Sequence, residues 1–566
     1  MQTDYQKLRF DYVRPAEHDA PSDAVHPVVV IGAGPVGLST AIDLAQQGVK
    51  VVLVDNDDTL STGSRAICFA KRTLEIFDRL GCGDRMVEKG VSWNVGKVFL
   101  QDELIYTFNL LAETGHARPA FINLQQYYVE GFLADRAMQL DNLQMRWKSN
   151  VVGMTQHDGH VELQIETPDG TYPLRAQYVV AADGARSPVR RMLGLDSRGR
   201  TFKDRFLIAD VKMKASFPTE RWFWFDPPFH RNQSVLLHRQ PDNVWRIDFQ
   251  LGWDADPVAE KAPERVIPRV KALLGENVEF ELEWVSVYTF SCLRMDSFRH
   301  GRVLFAGDSA HGVSPFGARG ANSGVQDADN LAWKLRLVVN GDAPSALLDT
   351  YASEREYAAD ENIRNSTRAT DFITPKSAVS RLFRDAALKL AKDSAFARRI
   401  VNSGRLSVPA VLSNSPLNTP DDPADAFSCT MIPGAVCTDA PVAVAVDGED
   451  AWFLPQTSGG QFTGVYFCGL HDDIAETAER LAALARLPVR VRALIVAPRG
   501  MKTPAIADAK VIEDVEGIVT HRFDARPGTF YLLRPDQHVC ARWRTLDVAL
   551  VRAAVNRATC NAQVNG

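Results

Sequence analysis

Four consecutive β-branched residues, Val28 to Ile31, run directly into Gly32, Gly34 and Gly37 in the spacing G-x-G-x-x-G, with Pro35 inside the same turn. Residues 38–47 then carry helical spacing, and a second apolar run, 49–54, ends in Asp55. Few chains can carry this order without folding as strand, tight turn, helix, strand and acid, the arrangement that binds a dinucleotide. Gly32 makes the turn, Gly34 lets the backbone approach a pyrophosphate, Gly37 permits close helix packing, and Asp55 is placed to bind ribose hydroxyls.

Two more strand ends carry acids. Residues 178–182 are a buried strand ending in Asp183-Gly184, and residues 302–306 are another, with Asp308 just past its carboxyl end. Acids at the carboxyl ends of separate strands suit a ligand crevice better than a core. A glycine-studded loop, 314–324, leads into a helix expected to open near Val325. Such a helix start turns free N–H groups and partial positive charge toward an electron-rich neighbour.

Other segments are less specific. Arg65 lies in a polar loop before a helix at 71–80, where a solvated charge is the default. Residues 121–138 read as helical, with Gln126 and Glu130 one turn apart, a spacing that equally suits a surface pair. Residues 161–166 and 172–175 flank a Pro-Asp-Gly turn and read as a strand pair. Residues 198–298 are strand-rich. In 244–251, alternation puts Arg246, Asp248 and Gln250 on one face, and such a charged face ordinarily meets water. In 280–290 it puts Phe280, Leu282, Trp284, Tyr288 and Phe290 together. From its face alone Tyr288 is a core tyrosine with a backbone partner; only a resemblance that makes this sheet the roof of a substrate site would make it equally a pocket candidate.

The balance of 64 basic against 70 acidic residues, with no long basic run, gives no footprint for nucleic acid. The eight cysteines show no C-x-x-C pair and read as reduced thiols of a cytoplasmic protein; no metal site is expected. Residues 1–26 lack the apolar core of a signal peptide or membrane span and are expected to form a loosely held arm.

The glycine turn at 32–37, the Asp183-Gly184 turn and Gly307-Asp308 resemble, in order and spacing over about residues 25–400, the three fingerprints of the single-component FAD aromatic hydroxylases. Within that family the chain resembles the phenol hydroxylase branch and is close to the 3-(3-hydroxyphenyl)propionate hydroxylase-like one. The resemblance implies an α/β Rossmann-like FAD-binding domain (27–197 and 299–406) with an inserted, mostly β-sheet substrate domain (198–298). After a proline-rich linker at 407–428 it implies a thioredoxin-like α/β domain, 429–566, without redox cysteines; a homodimer contact is one use for it. It further implies that Gly32, Gly34, Pro35, Gly37 and Asp55 hold the ADP half of FAD, that Arg65 and Gln126 lie along its pyrophosphate and ribityl chain, and that Asp308 binds ribityl hydroxyls. Asp183 would serve both FAD and a passing NADPH or NADH. Pro315, Gly320, Ala321 and Asn322 would lie against the isoalloxazine.

The implied reaction is hydroxylation of a small phenolic ring by O₂ through a flavin C4a-hydroperoxide, after reduction by NAD(P)H. A free phenol titrates near about 10, so a base or hydrogen-bond network is expected. Phenol hydroxylase relatives have an acid two residues after the position of Arg65, where this chain has Ile67. His238 and Tyr288 are the candidates left for this role; His311 suits a structural place better. Where many relatives have Gly-Gln-Gly, this chain has Gly317-Ala318-Arg319-Gly320. Arg319 either orients an anionic substrate or the nicotinamide, or points to solvent. Rival readings are epoxidation, halogenation or oxidation on the same fold, and a protein that binds FAD without turnover.

Overall fold

The computed structural model describes residues 5–19, 24–215, 217–401, 406–444, 448–457, 459–470, 472, 474–501 and 509–561. Parts of the expected arm (1–4 and 20–23), the first residue of a helix expected at 473–485, and residues 562–566 lie outside them. The arm's described residues are not loosely held. Tyr5 is buried, packs edge-on against Phe132, and donates to Asp135 at 2.6 Å, while Phe10 stacks on Trp147 at 4.0 Å. Aromatic residues in a polar segment supply the apolar area that holds it down.

The first sheet runs in the order Arg299–His300, Val303–Phe305, Gly170–Ala181, Val25–Ile31, Val51–Val54, Leu143–Arg146, with the hairpin partner Val161–Thr167 and then Asn150–Gln156 joined at Gly170–Ala181. Its central strands are parallel. They are near-continuous runs of buried Val, Ile, Leu and Ala because helices cover them. Parallel pairing sends the chain ends after Ile31, Val54, Ala181 and Phe305 to one edge, so Gly32, Asp55, Asp183 and Asp308 converge there. Helices Pro35–Gln46 and Gly320–Val339 start at that edge. The second begins five residues earlier than its apolar periodicity suggests, since Gly320 to Gly324 are already helical. The helix expected at 121–138 is shorter: Phe121–Asn123 is a strand, and the helix is Gln126–Ala137.

The second sheet runs His311–Gly312, Glu281–Met295, Ser197–Lys212, Val244–Leu251, Ser234–Arg239, Arg221–Phe225, Val95–Leu100, Glu103–Asn109. Its last two strands come from well before residue 198, so the sheet is wider than the segment 198–298. Helix Pro263–Leu274 places Val266 and Val270 among Ile247, Phe249, Leu207 and Val211, which covers the apolar face. The charged face of Val244–Leu251 therefore turns inward, toward the first sheet, contrary to the expectation that it meets water: Arg246 is 4% exposed and Gln250 8%. A register shift opposite Asp210/Val211 also splits the face expected for 280–290. Leu282 pairs with Val211 and joins the outer apolar cluster, whereas Trp284, pairing with Asp210, and Tyr288 turn to the inside.

A third sheet, Asp450–Trp452, Pro441–Val444, Ala509–Asp514, Val491–Pro498, Phe462–Phe467, Phe530–Leu533, Val539–Trp543, forms the C-terminal region. Its helices and strands bury Trp333 and Leu337 of Gly320–Val339. A buried ionic network fixes this contact: Arg534 meets Glu354 at 2.7 Å and Asp536 at 2.5 Å, and Lys334 meets Glu354 at 2.7 Å. No described helix is long and apolar enough to cross a membrane.

Candidate functional site

A cavity of about 1070 Å³ lies between the acid-bearing edge of the first sheet and the inward face of the second. It begins at the glycine turn. Gly32 has φ +103°, and a Cβ there would sit 2.5 Å from the Ala182 carbonyl oxygen, so only glycine closes the turn. At Gly37 a Cβ would lie 1.8 Å from the Gly32 carbonyl oxygen. Gly37 therefore lies beneath the turn and, alone among the predicted site residues, does not line the cavity. Gly34 differs: a Cβ there would meet nothing within 4 Å, because it would project into the open cradle. No side chain caps the helix that follows; Pro35 has no N–H to satisfy, and Val36, which lines the cavity, carries the first N–H of the helix. Asp55 accepts from Ala33 N–H at 2.6 Å and Asp57 N–H at 2.8 Å, and burial pushes its carboxyl up.

The second and third acids are held by their own turns. Asp183 accepts through Oδ2 from the Ser187 hydroxyl at 2.8 Å and Val189 N–H at 3.0 Å, while its buried Oδ1 has no partner. Desolvation raises both the Asp183 and Asp308 carboxyls. Asp308 opens onto the cavity. Its turn is anchored from below by Asp327, which accepts from Gly307 N–H at 2.9 Å, His311 at 2.7 Å and Arg355 at 2.6 Å. His311 is thus structural. Pro315, Gly320 and Ala321 line the far end, where helix Gly320–Val339 also starts without a side-chain cap. Asn322 lines the cavity too, but its side chain is committed: it accepts from Ala70 N–H and donates to the Cys68 and Ala318 carbonyls.

Arg65 lines the cavity with a left-handed backbone, φ +37°. Gln126 accepts from Ala66 N–H at 3.2 Å and donates to Glu130 at 2.8 Å, and Glu130 takes Ser61 N–H at 2.7 Å. Glu130 is buried, so the pair is a brace for the loop that carries Arg65 and no surface contact.

The inward sheet face supplies the rest. His238 is buried with Nδ1 unpartnered, and burial beside Arg221 and Arg246 lowers its pKa well below the ordinary value. It is a neutral imidazole and a weak base. Tyr288 lines the cavity near Phe206 and Phe290, and desolvation raises its hydroxyl well above the usual range. Arg319 is 3% exposed, which overturns the solvent alternative; it donates to Asn362 at 3.2 Å, and burial lowers it to about 10.

Several residues escaped the sequence. Arg246 pairs with Asp210 at 3.1 Å, bonds Ser64, and donates to the Arg65 carbonyl at 2.7 Å, tying the sheet to the nucleotide side. Asp248 lines the cavity with its carboxyl pushed by burial to about 6, and Trp284 and Arg221 complete the wall. For Arg246 and Asp248 the alternation in 244–251 was the signal; it grouped them correctly and left undecided which side of the sheet was covered.

An elongated cavity with two uncapped helix N-termini, a glycine cradle at one end and acids along one wall fits a dinucleotide. The orphaned Asp183 Oδ1 and the open space over Gly34 are places such a group would fill.

Known proteins agree with this geometry. The family described as FAD binding domain matches residues 26–366. The 3-(3-hydroxy-phenyl)propionate/3-hydroxycinnamic acid hydroxylase 2 of Burkholderia vietnamiensis is 27% identical over 546 residues, 93% of this chain and 95% of its own. Para-nitrophenol 4-monooxygenase of a Pseudomonas species is 30% identical over 347 residues, 58% of this chain and 82% of its own. Among solved structures, the flavin-dependent monooxygenase PieE, in complex with FAD and substrate, superposes with a TM-score of 0.78 at 22% identity, over 95% of this chain and 99% of that one.

Proposed function

Because the chain belongs to the FAD binding domain family, and its relatives over nearly full length are aromatic hydroxylases, we propose that it is an FAD-dependent monooxygenase hydroxylating phenolic compounds with NAD(P)H and O₂. The observation that carries this reading is the convergence of Gly34, Asp55, Asp183 and Asp308 on one cavity roofed by a second sheet. In this reading the uncapped helix start at Val36, approached over Gly34, would hold the pyrophosphate, Asp55 a ribose, and Asp308 the ribityl hydroxyls. Asp183 would contact FAD through its free Oδ1 and Arg65 would serve the pyrophosphate; the role assigned to Gln126 becomes one of support for that loop.

Bound FAD supplies the chemistry: electrons pass from the nicotinamide to O₂, and one oxygen atom is delivered to the ring. The protein's own contribution is positioning, water exclusion and charge stabilisation. The uncapped helix start at Gly320, Ala321 and Asn322 would favour negative charge on a bound flavin. The second sheet screens the cavity from water, since its outer face is covered by helix Pro263–Leu274. Tyr288 keeps its proton and serves as a hydrogen-bond donor, and the neutral His238 is available as an acceptor. Arg319, buried on the loop before the second helix, is a cation for an anionic substrate or the nicotinamide.

We assign residues 27–197 and 299–406 to the FAD-binding domain and 198–298, with the strands at 95–109, to the substrate domain. For 429–566 a thioredoxin-like fold is supported by parallel Val491–Pro498 and Phe462–Phe467 flanked by the antiparallel hairpin Phe530–Leu533/Val539–Trp543. Its cysteines are all free thiols, which suits a cytoplasmic protein and a packing role. A screen of substituted phenols for stimulated NAD(P)H oxidation by the FAD-loaded protein tests the function; an FAD-loaded protein that no phenol stimulates would favour binding without turnover.

A further inference from the structure

A second cavity, of about 820 Å³, adjoins the first, and Arg221 and Phe316 line both. Phe108, Phe121, Phe223, Phe225 and Phe372 give it an aromatic part, and Lys71, Arg72, Glu75, Glu113, Arg398 and Arg399 share its walls. The volume lies high in the roughly 300–1,000 Å³ range of pockets for drug-sized ligands, far more than one ring fills.

Arg221 is the charged group at the junction. It is 8% exposed and, among the described residues, has neither a hydrogen bond to its guanidinium nor a carboxylate at ion-pair distance. A buried cation in that condition is costly and calls for an anion. Its neighbours do not provide a full one. Cys68, whose thiol burial pushes up to about 11, is neutral; so are Tyr288, with its raised hydroxyl, and His238, with its lowered imidazole. Asp248 is the acid whose charge acts on it; burial pushes that carboxyl up to about 6, and it is drawn also to Arg246. Asp210, the other acid on this face, is already taken by Arg246 and Ser64.

We propose that the substrate is a phenol of two or more rings, seated in the second cavity with its ionised oxygen against the Arg221 guanidinium. The inference rests on the functional reading above and gives it a substrate class. It also removes the need for a base in place of Ile67: a fixed cation at the cavity junction stabilises the phenolate itself, and the proton leaves to solvent on binding. Arg221 is then a substrate-binding residue that selects the ionised form.

The test uses the oxidised FAD-loaded protein without NAD(P)H, with 2-naphthol and phenol as probes. Binding is followed by the perturbation of flavin absorbance, and ionisation of bound 2-naphthol by its ultraviolet difference band across pH. The expected results are that 2-naphthol binds about tenfold or more tighter than phenol, and that its ionisation is lowered by about 1–3 pH units on the protein. Arg221→Met should return the bound ionisation to its solution value, and Arg221→Lys should keep much of the shift; an unchanged flavin spectrum in either variant shows that the fold is kept. Phenol binding as tightly as 2-naphthol, no binding of 2-naphthol, or an undiminished shift in Arg221→Met would each overturn the proposal. The functional reading fails separately, in an FAD-loaded protein whose NAD(P)H consumption no phenol raises.

Discussion

Two glycines of one turn are expected to fail in different ways when a methyl group is added. Gly34 has φ −73° and ψ −179°, ordinary for any residue, and its added Cβ would meet no protein atom within 4 Å. Gly34→Ala should therefore leave the FAD-free protein as stable as before, or up to about 1 kcal/mol more stable through loss of unfolded-state freedom. The same methyl group occupies the place from which the pyrophosphate must be approached. FAD affinity should fall at least about tenfold, or about 1.4 kcal/mol. At Gly37 the added Cβ would sit 1.8 Å from a carbonyl oxygen, more than 1 Å inside the closest tolerated contact of 3.0 Å. Helix Pro35–Gln46 must move away from its own turn, at a cost of about 1–3 kcal/mol or more. Gly37→Ala should thus lose stability and FAD together. Denaturant unfolding of the FAD-free proteins gives the first quantity and fluorescence titration with FAD the second. A Gly34→Ala protein with wild-type FAD affinity would refute the assignment of this turn to the pyrophosphate.

Asp308→Ala should purify largely free of FAD, read from the ratio of flavin to protein absorbance; full occupancy would remove Asp308 from the site. Arg534→Met leaves Glu354 and Asp536 buried without their cation and should cost about 3–5 kcal/mol in denaturant unfolding. Glu354 is held below its ordinary 4.5 by Arg534 and Lys334, after offsetting desolvation. Its contribution to stability is full above that pH and is lost as acid titrates toward the depressed value, so the variant's stability should fall less steeply in acid than the wild type's. Asp248 has the opposite shift, to about 6. Below that pH it becomes neutral and no longer offsets Arg221, so 2-naphthoate, an anion throughout about pH 5–8, should bind more tightly as pH falls through 6. Asp248→Asn should flatten that dependence; an unchanged pH profile would separate Asp248 from Arg221.

The nucleotide side was legible because its signals are local. A run of β-branched residues, glycines at fixed spacing and an acid after the next strand specify strand, turn and clamp within about thirty residues. The roof was legible only in part. Alternation in 244–251 groups Arg246, Asp248 and Gln250, but sidedness depended on helix Pro263–Leu274, which covers the apolar side. The bulge at Asp210/Val211 parted Leu282 from Trp284 by one inserted residue, which strict alternation does not register. Arg221 gave no signal at all: its meaning comes from two cavities meeting at its side chain. The pairing of Glu354 with Arg534, 180 residues apart, has no local trace either.

Oxygen incorporation tests the central claim most directly. The FAD-loaded protein, given NAD(P)H, a stimulating phenol and isotopically labelled O₂, should yield a ring-hydroxylated product carrying one labelled oxygen atom, with NAD(P)H consumed in step. Unlabelled product, or flavin turnover yielding only hydrogen peroxide with every phenol tried, would contradict the account.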